Sequence, residues 1–370
     1  MTILIGVIIG FYAIFIFALV IAWGRLPAFN DEGNCTSSFS IIIPFRNEED
    51  NLPQLLKALA SIDYPSEKFE VIFINDHSTD QSVDIISKFT ESAWFKIKCY
   101  DLEATKTGKK AALNFGISSA SHDYILTTDA DCSFSKNWLR SYDRIYQQVD
   151  AQMVTGPVVF YGEKSFFQKL QSMEFASLIG TGASSLQLGI PNMCNGANLS
   201  FSKSAFFAVS GYAGNDKIAS GDDEFLMHKI YQQFDGKVFF NKSNDAVVNT
   251  FPLRSWRDFY HQRKRWASKW KSYGRVSTII TALFVAVFNL CMLLAYSFLL
   301  VDWSGNSWLI VPIIFKVIAE GIFLYLVMKF SGKRFYFLHF IVLELSYPFY
   351  ALFFGIAANF GSYTWKGRRH

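Results

Sequence analysis

Residues 1–23 of this 370-residue chain carry no charged side chain, and three further apolar segments, 276–301, 308–328 and 335–360, crowd its C-terminal part. A bilayer crossing takes about 20 apolar residues. Such segments leave only the stretch between them free to build a water-facing domain. The bulk numbers agree: 51% hydrophobic residues, 38 Phe and 18% charged residues are greasy for a soluble protein of this length. Residues 1–24 read as a retained anchor. A cleaved leader would show a basic start and a small-x-small site, and neither precedes Arg25-Leu26-Pro27.

Charge around the apolar segments sets an expected orientation. Arg254, Arg257, Arg263, Lys264, Arg265, Lys269, Lys271 and Arg275 face a single acid, Asp258, while the whole chain is only +4. The block abuts an apolar segment, so the positive-inside rule accounts for it without nucleic acid. The loop after residue 301 holds Asp302 and no Lys or Arg, and Lys329, Lys333 and Arg334 follow the next segment. An integral (inner) membrane protein with a cytoplasmic domain and an outside N-terminus is expected. In 335–360, Pro348 interrupts the run, and a straight crossing would leave Lys366, Arg368 and Arg369 outside. A re-entrant or interfacial hairpin, returning a basic tail at 362–370 to the cytoplasm, is therefore expected. The five cysteines, 35, 99, 132, 194 and 291, show no zinc spacing and fit reduced thiols.

After a polar linker at 30–38, apolar runs alternate with helical spacing. Strands are expected at 39–44, 69–74, 95–100 and 123–128, with helices at 48–62, 82–89 and 109–120 between them. That alternation predicts a parallel α/β sheet of the Rossmann kind, whose ligands sit beyond the carboxyl ends of the strands. Further on, strands are expected at 153–160 and 237–240, and helices at 199–209 and 223–231. The water-facing domain is placed at 39–250, a basic aromatic interface helix at 254–275, and membrane segments at 276–361.

Acids fall at the expected strand ends. Asp129 and Asp131, on an extended chain, put two carboxylates about 7 Å apart on one side. Hard oxygen ligands of this kind suit Mg²⁺ or Mn²⁺ against a diphosphate; a plain polar turn is the alternative. Asp76 is placed to accept a base N–H or a ribose hydroxyl, though Ser78, Thr79 and Asp80 also look like helix caps. Glu48 and Glu49 suit a helix first turn. Lys109 and Lys110 start a helix, either reaching phosphate or solvated. Asp222, Asp223 and Glu224 adjoin, so repulsion raises one carboxyl and makes Asp223 a candidate general base; an acidic helix start is the plain reading. Gln262, Arg265 and Trp266 lie among Trp256, Phe259, Tyr260, Trp270 and Tyr273, an interface pattern that leaves a guanidinium for pyrophosphate and an indole for a sugar. Glu320 lies one helical turn beyond Lys316 and pairs with it; Glu344 is a second acid in an apolar segment.

In this order the motifs resemble the membrane-bound family-2 inverting glycosyltransferases, among them cellulose, hyaluronan and poly-N-acetylglucosamine synthases and ceramide glucosyltransferases. Ile43-Pro44-Phe45-Arg46-Asn47-Glu48-Glu49 is similar to their opening strand-loop, which places Pro44 and Glu49 at the donor. Asp76 matches the acid on the nucleotide base, and Gly108-Lys109 with Leu113-Asn114 resembles their Gly-Lys…Leu-Asn segment. Asp129 and Asp131 match the metal motif, with Asp131 the firmer ligand. Asn195-Gly196-Ala197-Asn198 resembles the donor-sugar loop, with Asn198 at the donor. Asp223 matches the base, and Gln262, Arg265 and Trp266 match Gln-x-x-Arg-Trp. Two departures stand out: His77 where Gly is frequent, a position that would have positive φ, and Asp222-Asp223 where Glu-Asp is frequent. The resemblance implies a GT-A type domain and a single inverting displacement on a UDP-linked sugar, aided by Mg²⁺ or Mn²⁺. Few C-terminal apolar segments leave little for a wide channel, which favours a lipid or carrier-lipid acceptor over a growing glycan. A non-catalytic nucleotide-binding subunit is the reading of another class.

Overall fold

The computed structural model describes residues 1–30, 33–214, 221–268 and 276–360, with two short strands at Thr364–Trp365 and Arg368–Arg369. Lys269, Trp270, Lys271, Tyr273 and Arg275 of the expected interface helix lie outside the described residues, as do Lys366 and part of the linker. The chain divides into an α/β unit, residues 26–162 and 185–251, and a helical unit, residues 1–25, 163–184 and 252–370.

In the α/β unit, β1 (Phe39–Phe45), β2 (Phe69–Asn75), β3 (Lys96–Asp101) and β4 (Tyr124–Thr127) are parallel neighbours. Every residue of β2 is buried, as a strand covered on both faces demands. The helices between them are α2 (Leu52–Ala60), α3 (Ser82–Ser92) and α4 (Lys109–Ser119). Gly116 lets α4 lie close on the sheet: a Cβ there would stand 2.6 Å from Ile42 Cγ2. The seven-stranded sheet has the order β3-β2-β1-β4-β8-β6-β9, with β6 at Met153–Thr155, β8 at Leu199–Ser202 and β9 at Val238–Phe240. A second sheet joins β5 (Ser133–Phe134), β10 (Val248–Thr250) and β7 (Val158–Phe160).

Three expectations change here. The helix expected at 199–209 begins as β8, because Leu199 to Ser202 are all buried and pair antiparallel with both β4 and β6; only α7 (Lys203–Ala208) is helical. Ser202 marks the switch, its Oγ accepting the Ala205 N–H. The single strand expected at 153–160 breaks at Gly156-Pro157 and serves two sheets. Two helices not foreseen are α5 (Trp138–Gln148), whose Trp138, Leu139, Tyr142 and Ile145 face the core, and α6 (Phe166–Gln187). The acidic turn before 231 does open a helix, α8 (Asp222–Gln233).

The helical unit contains α1 (Thr2–Arg25), α9 (Trp256–Ser268), α10 (Val276–Val301), α11 (Trp303–Asn306), α12 (Ile310–Phe330) and α13 (Phe337–Ala357). Among the described residues, four segments are long and apolar enough to cross a membrane: Thr2–Arg25, Ala282–Val301, Trp303–Phe330 and Phe337–Ala357. Ile5, Ile9, Phe288, Met292 and Leu309 form a core shared by the first three. The Lys316–Glu320 pair forms at 2.8 Å, and Glu344 joins it at 2.5 Å. Tyr12 donates to Glu320 at 2.8 Å. The hairpin expected around Pro348 is not formed; α13 runs unbroken through it. Proline removes the donor for the Glu344 carbonyl, and the Tyr296 hydroxyl donates to that oxygen at 3.4 Å instead.

Candidate active site

The chain moves outward from β1 to β3 and then returns to β4 on the other side of β1. Ligands of open α/β sheets bind at this kind of reversal, outside the carboxyl ends. Asp76 follows β2 there; it is buried, its N–H donates to Phe45 O at 2.9 Å, and its Oδ1 accepts Gly108 N–H at 3.1 Å. His77 has φ +59°, the conformation in which a glycine is frequent, and its Nε2 lies 3.0 Å from Lys106 O. Around Asp76 the loops are stitched together. Asn47 N–H donates to Ser78 Oγ, and Asn47 Oδ1 accepts Thr79 N–H at 2.8 Å. Glu49 accepts Gln81 N–H at 3.0 Å, so its charge sits at the start of α3 rather than of its own helix. Pro44 stays within β1, in register with Ile74.

Two buried polar atoms beside the reversal were not singled out from the sequence. Arg46 Nε, just beyond β1, and Thr128 Oγ1, just beyond β4, are enclosed without a hydrogen-bond partner. Burying such groups unpaired is costly, and their place on adjacent strand ends is where a polar ligand would satisfy them.

Asp129 and Asp131 do not lie on an extended chain. β4 ends at Thr127, and Cys132 N–H closes a turn on Asp129 O at 3.2 Å. Asp129 is ion-paired with Lys109, and Asp131 Oδ2 accepts the Thr250 hydroxyl at 3.2 Å. Lys109 is thus held by Asp129 and only partly exposed to solvent. Burial works to lower its ammonium, but the Asp129 charge outweighs that and the pKa is raised. Lys110 bridges to Asp222 at 3.0 Å. Among the described residues no three His, Cys, Asp or Glu side chains gather to hold a metal. The pair nonetheless fits Mg²⁺ or Mn²⁺, since such ions use one or two carboxylates and complete their shell from substrate phosphate and water.

Asp223 sits in the first turn of α8, behind Gly221 at φ +89°. Its Oδ2 accepts Gly196 N–H at 2.8 Å and its Oδ1 the Glu224 N–H at 2.9 Å. The raised carboxyl of the acidic run is Asp222: burial pushes it up, against the pull of Lys110. Asn198, expected at the donor, is wholly buried and fully used. Its Oδ1 accepts Trp138 Nε1 at 3.0 Å and Tyr142 Oη at 2.6 Å, while its Nδ2 donates to Pro157 O and Ala246 O, both at 2.8 Å. With every polar valence spent on protein, it holds the loop under Asp223 instead of a ligand.

In the helical unit, α9 carries Gln262, Arg265 and Trp266, all half-buried. The residue between them that organises the helix is Arg263, 3% exposed. It pairs with Glu174 through Nε, at 3.0 Å, and Nη2, donates to Gln262 Oε1, and lies 4.3 Å over the Trp266 ring. Tyr350 donates to Glu174 at 2.6 Å. The Trp266 indole is therefore stacked by Arg263 on one face, which the sugar-stacking expectation did not include. Glu174 gave no sequence signal beyond being an acid in an apolar helix.

Comparisons with known proteins bear on both units. The family model for glycosyl transferase family 2 matches residues 40–207, and that for glycosyl transferase family group 2 matches residues 124–356. The poly-beta-1,6-N-acetyl-D-glucosamine synthase of Staphylococcus epidermidis is 26% identical over 323 residues, 85% of this chain and 74% of the relative. The Staphylococcus aureus synthase of that name is 34% identical over 180 residues, 46% of this chain and 41% of its own. Among solved structures, the mannosyltransferase PcManGT from Pyrobaculum calidifontis, in complex with GDP-Man and Mn²⁺, aligns with a TM-score of 0.55 at 15% identity over 95% of this chain and 97% of that one. With its family model spanning well over half of the length, the chain belongs to glycosyl transferase family group 2 and has the GT-A fold.

Proposed function

We propose that this glycosyltransferase moves a sugar from a UDP-linked donor to a hydroxyl acceptor presented at a membrane, with inversion. The observation that carries this reading is the set of functional groups at the α/β reversal: Asp76, Asp129 and Asp131 at strand ends, beside the unpartnered Arg46 Nε and Thr128 Oγ1. Asp76 would hold the nucleotide. Asp131 and Asp129 would hold Mg²⁺ or Mn²⁺, which when bound neutralises the departing diphosphate; the mannosyltransferase neighbour's Mn²⁺ supports that choice. Lys109 holds the Asp129 carboxylate until a cation or phosphate competes for it. Asp223, oriented by the Gly196 N–H, would take the acceptor proton as the bond to the anomeric carbon forms. Arg265 and Gln262 would face the diphosphate, and Trp266 the acceptor.

For the acceptor, the poly-N-acetylglucosamine synthase relatives support a growing hexosamine glycan and UDP-N-acetylglucosamine as donor. The second reading, a lipid or carrier lipid, rests on the small set of four candidate spans. A cytoplasmic catalytic domain follows from the basic residues near the span ends. Membranes carrying the protein, given radiolabelled UDP-sugars, separate these readings. Label in polymer supports the first and label in lipid extract the second. Label in neither, with intact nucleotide binding, leaves a non-catalytic subunit. An Asp131→Asn variant that binds UDP with undiminished metal dependence, measured by calorimetry, removes the metal assignment.

A further inference from the structure

Within the helical unit, a small open pocket of about 50 Å³ lies between the end of α12 and the start of α13. Three cations, Lys169, Lys333 and Arg334, line it against one acid, Glu163. The acid is already engaged: Lys333 Nζ stands 3.1 Å from it and Ser172 Oγ donates to it at 2.6 Å. Lys169 and Arg334 form no ion pair among the described residues. Both instead face the ring of Tyr336, at 4.7 and 5.6 Å. The pocket therefore holds a surplus of positive charge, with no ion-pair partner for Lys169 or Arg334 among the described residues.

Two further observations point to an anion. Tyr336 is also the N-cap of α13, and no side chain caps that helix, so its first N–H groups add partial positive charge. His339, one turn further on, is 8% exposed and stacks on Phe166 at 4.1 Å, yet neither of its ring nitrogens has a hydrogen-bond partner. The apolar surroundings say what kind of anion. Phe166, stacked on His339, and Phe337 and Leu338, which follow Tyr336 in the chain, are exposed, and the helices that flank the pocket are candidate spans. A free phosphate would leave these side chains in water; an amphiphile would cover them.

We propose that this pocket binds the phosphate headgroup of an anionic membrane lipid, with Lys169 and Arg334 on the phosphate and Phe337 and Leu338 against the acyl chains. Basic pockets between spans on the cytoplasmic side recognise such headgroups. The site is separate from the transfer chemistry and does not depend on the donor or acceptor assigned above.

The test uses the full chain in a nonionic detergent, with native mass spectrometry counting retained lipid. Dioleoyl phosphatidylglycerol is expected to be retained about tenfold more than dioleoyl phosphatidylcholine. The double variant Lys169→Gln/Arg334→Gln should fall to the phosphatidylcholine level, and Arg334→Lys should keep the preference. Arg334→Glu, at an exposed position, gives an independent loss should the double variant unfold. Equal retention of the two lipids, or an undiminished preference in the Gln and Glu variants, overturns the proposal. Displacement of the lipid by an equal concentration of inorganic phosphate overturns it as well, because the pocket would then be a site for free phosphate.

Discussion

The α/β unit and the helical unit keep their charges in different ways. At the strand ends the Lys109–Asp129 pair is partly open, the two side chains being 30% and 35% exposed. In the helical unit Arg263 and Glu174 are 2% and 7% exposed, and Lys316 3%. A half-open pair gives up little when a ligand takes one partner, since solvent and counter-ions already share the charge. An enclosed pair has no such exit, because the abandoned charge stays buried. The first arrangement suits residues that must exchange partners during a turnover, and the second suits residues that must hold still.

The largest effect should come from Asp223→Asn. Transfer of label is expected to drop on the order of 10³-fold, while calorimetry should show UDP binding unchanged. A wild-type rate would remove Asp223 from the exchanging set. Next comes Glu174→Gln, which strands Arg263 and should lower stability by about 3–5 kcal/mol. Lys109→Gln, its counterpart at the strand ends, should cost under about 1 kcal/mol. Similar unfolding shifts for the two, read from thermal midpoints in detergent, would break the comparison.

Glu70 sharpens it, being an enclosed charge inside the α/β unit. Its carboxyl, 0% exposed, accepts Ser40 Oγ at 2.8 Å and Ser121 N–H at 2.6 Å, and pairs with Lys98 at 2.9 Å. Burial works to raise it, but these partners win and bring its pKa down to about 2. A lowered carboxyl stabilises the fold above its unfolded pKa of about 4.3, and that stability fades as pH falls towards 2. Glu70→Gln should therefore lose about 3 kcal/mol at neutral pH. Its deficit should shrink between pH 5 and 2; a deficit constant across that window contradicts the assignment. The smallest effect is expected for Tyr296→Phe, which leaves the Glu344 carbonyl without its replacement donor and should cost about 1 kcal/mol.

Much of the α/β half could be read from the sequence, because residues 41–43 and 71–74 are apolar runs within β1 and β2 and Asp76 comes straight after the second strand. Local pattern failed where partners are distant. Leu199 to Ser202 became a strand because β4 and β6 flank it, and no local feature announces that. Spacing along the chain likewise said nothing of Lys109 reaching Asp129, or of Arg263 reaching Glu174 across 89 positions. Pro348 signalled a break that Tyr296, on another helix, made unnecessary. The resemblance of Asn195-Gly196-Ala197-Asn198 pointed to Asn198, but only its four bonds show that it supports the loop.

Those bonds also fix an order of assembly. Trp138 and Tyr142 precede Asn198 in the chain, but Ala246 follows it by 48 residues. During synthesis the loop that presents Gly196 to Asp223 stays incomplete until residue 246 has left the ribosome and β10 can enter its sheet. Contacts so far apart form late and slowly. The loop that orients the proposed base is thus completed only when nearly all of the α/β unit, which ends at Phe251, has been synthesised.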